Sequence, residues 1–134
     1  MDDDNILILK CTVTRGLGEG TFFMSIAQYK KEIKNKLGFD SYPGTLNLKI
    51  NKKQIDILKG ITAIRINGFK SGNKLFGGIR CYRAKIKSVH GSIIIPDMNK
   101  HKEDVIEFIA PVHVRSQLNL NDGGKIDLEL LKEQ

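Results

Sequence analysis

Tryptophan is absent from this sequence, and the other aromatic residues number only six Phe and three Tyr. A platform of exposed rings for stacking single-stranded nucleic acid is therefore not evident. Cysteine is scarce as well. Cys11 and Cys81 lie far apart and neither sits in a CxxC pair, so the spacing of a zinc site is missing. Both fall in apolar, strand-like stretches and read as small buried residues. Long apolar runs are missing too: Ile93-Ile94-Ile95 is typical, far short of the roughly 20 residues a membrane helix needs. The opening Met1-Asp2-Asp3-Asp4 is acidic, the opposite of a secretory leader. These absences predict a protein of the reducing cytoplasm with no membrane partner. With 134 residues, the chain is too short for a protein kinase, a TIM barrel or a two-domain dehydrogenase. It suits a single domain, residues 1–134, with a real core.

Positive charge is abundant. Twenty-two Lys and Arg outnumber 15 Asp and Glu, for a formal charge of +7 and a pI of about 9.5. That balance fits nucleotides, phosphates, nucleic acid or an acidic membrane face, and equally a solvated lysine-rich surface.

The hydrophobic pattern is mostly that of short strands. Ile6–Thr14 reads as a first strand, interrupted by Arg15–Thr21 and resuming at Thr21–Met24. Ser25 and Gln28 have the spacing of a capping box, and Ile26, Tyr29, Ile33 and Leu37 predict a helix over 26–37 closed by Gly38. Thr45–Ile50 alternates, with Leu46, Leu48 and Ile50 on one face. Residues 54–95 read as all-β: a strand at Ile61–Ile66, a turn at Asn67-Gly68, a long strand at Leu75–Lys87, a turn at His90-Gly91 and a strand at Ser92–Ile95. Val105–Ala110 reads as a buried strand. Pro111 then suits the first position of a short helix with Val114 and Leu118 inward. Asn121–Gly124 turns the chain into a last strand carrying Ile126, Leu128 and Leu130. Seven or eight short strands with one or two short helices predict a mainly β fold, a small antiparallel barrel rather than a βαβ sheet.

Three groups of residues have the character of a site. Gly16-Leu17-Gly18-Glu19-Gly20-Thr21 is neither a P-loop nor a dinucleotide fingerprint. A loop without side chains lets several N–H groups converge on phosphate oxygens, and it equally fits a glycine-rich hairpin with no ligand. Thr45 and Asn47 lie two apart on a strand and offer a hydroxyl and an amide oxygen, hard donors of the kind Mg²⁺ takes; they also fit two solvated polar residues. Glu107 is a lone carboxylate inside Val105-Ile106-Glu107-Phe108-Ile109, and alternation lets it simply face water. His90 reads as a solvated turn residue, His101 as part of a polar loop and His113 as a surface residue at a helix start.

Taken in order, Gly16–Gly20, Leu37-Gly38-Phe39, Tyr42-Pro43-Gly44-Thr45-Leu46-Asn47-Leu48, Ile106-Glu107-Phe108-Ile109-Ala110-Pro111, Arg115, Leu118 and Asn121-Asp122-Gly123 resemble the archaeal CTP-dependent riboflavin kinases. The likeness runs over nearly the whole chain. It implies a six-stranded cradle-loop barrel that converts riboflavin and CTP to FMN and CDP; no nucleic-acid partner is expected, and a monomer is expected over an oligomer. It implies that Gly16, Leu17, Gly18, Glu19, Gly20 and Thr21 cradle the nucleotide phosphates, that Val112, His113, Val114 and Arg115 hold the nucleotide, and that Thr45 and Asn47 bind Mg²⁺. Glu107 would contact the flavin, as the best-placed carboxylate for the hydroxyl, and Asn99 would stand where the family usually has a flavin-contacting threonine. The family's Asp-Gly-Asp is Asp122-Gly123-Gly124 here, read as a turn variation without catalytic meaning. Two alternatives remain at this level: a basic β-barrel DNA-binding regulator, and a flavin or nucleotide carrier without catalysis.

Overall fold

The computed structural model describes residues 5–16, 24–97 and 104–134. Among them are nine strands and three helices, in the order β1 (Ile6–Thr14), α1 (Ala27–Leu37), β2 (Leu46–Lys49), α2 (Lys52–Lys59), β3 (Ile64–Ile66), β4 (Phe69–Ser71), β5 (Lys74–Phe76), β6 (Ile79–Ile86), β7 (Val89–Pro96), β8 (Val105–Ile109), α3 (Val114–Gln117) and β9 (Lys125–Leu131). The main sheet runs β3-β6-β7-β8-β2-β1-β9, and β9 pairs back onto β6 at Ala84–Leu130 and Lys85–Glu129. That last pairing closes six antiparallel strands into the expected barrel and removes their free edges. No helix among the described residues is long and apolar enough to cross a membrane.

The period of two along each strand explains two apolar layers. Tyr82, Ala84, Ile86, Ile93, Ile106 and Phe108 point into the barrel with Leu9, Leu48 and Leu128. Their neighbours Ile79, Cys81, Ile94 and Ile109 point outward, where Tyr29 and Ile33 of α1 cover them. β6, β7 and β8 are thus buried on both faces, which is why they carry near-continuous apolar runs. α1 ends as expected on Gly38, at φ +87°.

Several local expectations are corrected. The N-cap of α1 is Ile26, so Ser25 and Gln28 do not form its capping box. The box occurs one element later. Asn51 Oδ1 accepts from Gln54 N–H (2.9 Å) and Gln54 Oε1 accepts from Asn51 N–H (3.0 Å), starting α2 inside the stretch read as all-β. Leu58 is buried and Ile55 packs on the barrel core, giving α2 its inner face. The long strand at Leu75–Lys87 is broken by Gly77 and Gly78, which separate β5 from β6. The β4–β5 hairpin turns at Gly72-Asn73 rather than Asn67-Gly68, and β6–β7 turns at Lys87-Ser88 rather than His90-Gly91. Gly91 lies inside β7 for steric reasons: a Cβ there would overlap the Ile109 carbonyl and the Phe108 ring. Pro111 precedes α3, whose N-cap is His113.

Both cysteines are buried as predicted, Cys11 at 2% exposure and Cys81 at 0%. Burial pushes each thiol up to about 12. At pH 8 about one thiol in ten thousand is then ionised, and the thiolate is the nucleophile. An aromatic disulfide reagent is expected to label the native protein very slowly and to titrate both thiols at once in denaturant. Rapid labelling of the native protein would contradict the burial.

Candidate active site

The candidate residues converge on the outer surface of one stretch of barrel. Register places Thr14 of β1 opposite Asn47 of β2, Asn47 opposite Glu107 of β8, and Glu107 opposite Ile94 of β7. Glu107 shares the outward face of β8 with Ile109, yet it is only 2% exposed. The reading that it simply faces water is corrected: the outer face of this strand is itself covered. Thr45, just before β2, donates its hydroxyl to Glu107 Oε1 at 3.0 Å. That bond directs the Thr45 lone pairs away from the carboxylate and raises their negative character.

Gly16 follows β1 directly and lies against Asn47. A Cβ at Gly16 would overlap the Asn47 side-chain amide at Oδ1, Cγ and Nδ2. Asn47 Oδ1 is buried and has no hydrogen-bond donor among the described residues. A buried acceptor left without a donor is costly, so this oxygen is suited to a ligand that supplies positive charge. Leu17, Gly18, Glu19, Gly20, Thr21 and Asn99 lie outside the described residues, as does His101.

Gly16 and Asn47 line a cavity of about 430 Å³ together with Arg15, Arg115 and Asp122. Arg115, at the second position of α3, donates from Nη2 to the Thr14 carbonyl at 3.1 Å and to Asp122 Oδ1. Arg15 donates from Nε to Asp122 Oδ2 at 2.9 Å. Hydrogen bonds from Arg115, then from Arg15, hold the Asp122 carboxyl below the usual carboxylate range. The Asp122 turn is pinned to the end of β1 by Val13 N–H to Gly124 O and Gly123 N–H to Val13 O, both 2.8 Å. The turn was legible, but its aspartate is not idle: it stands in the candidate site. Arg15 and Asp122 are the residues that sequence reasoning missed.

The remaining nucleotide-site candidates divide. Val114 is buried and Val112 packs on the barrel core, so their side chains face away from the cavity's polar rim. His113 is exposed, with Nδ1 2.6 Å from Ser116 Oγ and its ring 4.9 Å from that of Tyr42. Tyr42 N–H in turn donates to the Ala110 carbonyl at 2.8 Å. These contacts tie the Tyr42–Gly44 turn, which leads into Thr45, to the segment that leads into Arg115.

Residues 13–130 match the family CTP-dep_RFKase, described as a domain of unknown function, DUF120. A protein of Pyrobaculum calidifontis named riboflavin kinase is 43% identical over 121 residues, 88% of this chain and 57% of its own length. One of the same name from Pyrobaculum aerophilum is 43% identical over 122 residues, covering 89% and 58%. A riboflavin kinase of Methanosarcina acetivorans is 36% identical over 134 residues, covering 98% and 56%. The chain thus spans somewhat over half the length of these curated relatives. The matched residues take in the end of β1, the Thr45–Asn47 pair, Glu107, Arg115 and Asp122, and the chain belongs to the CTP-dep_RFKase family.

Proposed function

We propose that this chain is a CTP-dependent riboflavin kinase that transfers the γ-phosphoryl group of CTP to the 5′-hydroxyl of riboflavin, giving FMN and CDP. The observation that carries the reading is the meeting of Gly16, Asn47 and Arg115 at one cavity, with the Thr45–Glu107 hydrogen bond beside it. A glycine-led backbone, two neutral oxygen donors, a buried carboxylate and a guanidinium are what phosphoryl transfer asks of a protein. The work is positioning and charge neutralisation, with little covalent chemistry.

The buried Asn47 Oδ1 and the polarised Thr45 hydroxyl fit Mg²⁺, a hard cation that takes oxygen ligands and keeps several waters. Thr45 and Asn47 would hold it, and when bound it neutralises phosphate charge. Arg115 adds fixed positive charge at the same cavity, where a preorganised donor stabilises developing negative charge. Glu107 orients the riboflavin hydroxyl and takes up its proton as the new O–P bond forms and the bond to the β–γ bridging oxygen breaks. The carbonyls of His113 and Val114 already accept from Gln117 and Leu118 N–H. Main-chain recognition of the base by Val112, His113, Val114 and Arg115 would use N–H groups for cytosine's acceptors and a carbonyl with a free lone pair for its N4 amino group.

The test is direct. The protein is incubated with riboflavin, Mg²⁺ and either CTP or ATP, and flavins are separated by chromatography. FMN is expected with CTP, not with ATP, and not after chelation of the metal. Tight DNA binding with no FMN from either nucleotide would favour a regulator. Binding of riboflavin and CTP without FMN would make the chain a carrier.

A further inference from the structure

Arg115 does not stand alone: the cavity holds two guanidiniums joined by one carboxylate. Asp122 commits one oxygen to each: Oδ2 to Arg15 Nε and Oδ1 to Arg115 Nη2. The three residues come from the end of β1, from α3 and from the turn before β9, segments that the β1–β9 pairing brings together. Two cations and one anion leave a net positive charge. Both carboxylate oxygens already face guanidiniums, so Asp122 offers an incoming anion little repulsion. With Nε engaged, Arg15 keeps its two terminal nitrogens without a partner among the described residues, on a side chain 89% exposed. A guanidinium held through Nε presents a planar fork that matches two phosphate oxygens. Anchoring also removes rotamer freedom before the ligand arrives, which lowers the entropic cost of binding.

We propose that Asp122 is a positioning residue that holds Arg15 and Arg115 as a paired clamp on the nucleotide's polyphosphate, and that Arg15 is itself a phosphate contact. This deepens the kinase reading and rests on it. The probe is Mg²⁺ with inorganic tripolyphosphate, which carries neither base nor sugar, titrated calorimetrically into the protein and its variants Asp122→Asn and Arg15→Gln. Each substitution is expected to weaken tripolyphosphate binding about tenfold and to raise KM for CTP by a similar factor. KM for riboflavin and the thermal midpoint stay near those of the parent. Because Asp122 acts partly through Arg15, the double variant is expected to lose less than the product of the two single losses. A salt bridge that only braced the turn would lower the midpoint and leave KM for CTP alone.

An Asp122→Asn protein that is folded, makes FMN and binds tripolyphosphate like the parent overturns the clamp and leaves the kinase reading standing. Should Asp122→Asn fail to fold, Arg15→Gln decides, since that exposed side chain can be changed without touching the core; unchanged affinity there overturns the clamp equally. A parent protein that binds neither tripolyphosphate nor CTP removes the kinase reading and the clamp together.

Discussion

Replacing Thr45 and Asn47 together by alanine is expected to cut FMN formation by at least about 100-fold, because a phosphate-neutralising metal is worth several kcal/mol of transition-state stabilisation. The barrel should survive. Leu46 and Leu48 keep their inward packing, and Asn47 Oδ1 makes no hydrogen bond among the described residues, so its removal forfeits none there. Losing the Thr45 hydroxyl removes one bond to Glu107, at a cost of about 1.5–3 kcal/mol for a hydrogen bond to a charged group. The buried amide that goes with it offsets part of that loss. The thermal midpoint should therefore stay within about 10 °C of the parent, while Mg²⁺-dependent CTP binding falls with activity. An active double variant would remove the metal assignment. A variant that unfolds is answered by Asn47→Ala alone, which should be inactive and folded.

The strands of the barrel were legible because each alternates between an apolar core and something else. Leu46, Leu48 and Ile50, like Ile126, Leu128 and Leu130, lie where a period of two puts them. Where a strand is buried on both faces, alternation carries no such information. Glu107 occupies the outward set of β8, and the sequence offers no sign that this set is covered too. The two capping patterns show the same limit. Ser25-x-x-Gln28 and Asn51-x-x-Gln54 are equally good on paper, and only the second caps a helix, because Ile55 and Leu58 find the barrel core beneath them. Glycines misled in a different way. His90-Gly91 and Asn67-Gly68 look like turns, but Gly91 is required by close approach of β8, not by a bend. The acid–base partners of the site were hidden by distance along the chain: Arg15 and Asp122 are 107 residues apart, and only the long β1–β9 ladder makes them neighbours. Arg115 and Asp122 were close enough in sequence to be suspected together, and reading Asn121–Gly124 as a bare turn set the aspartate aside.

Gly16→Ala is the substitution that should separate activity from stability most cleanly. The described glycines with left-handed φ are Gly38, Gly72 and Gly123, so Gly16 has a backbone that alanine can adopt. Removing a glycine of this kind restricts the unfolded chain and stabilises by about 0.4–1 kcal/mol. Against that stands one clash, between the new methyl group and the Asn47 amide. The amide is the end of a short side chain that rotates about two bonds, so the conflict is relieved by turning Asn47 rather than by moving β1 or β2. Stability should accordingly change by less than about 1 kcal/mol. The turned amide no longer presents Oδ1 beside Thr45, and a misplacement of about 1 Å in a catalytic constellation costs on the order of 100-fold in rate. Denaturant melts and FMN assays on the same preparation read the two quantities. A strongly destabilised Gly16→Ala would mean that the backbone, not the amide, gives way. Full activity would mean that Asn47 Oδ1 has no part in catalysis, since it cannot keep its present place beside a methyl group at residue 16.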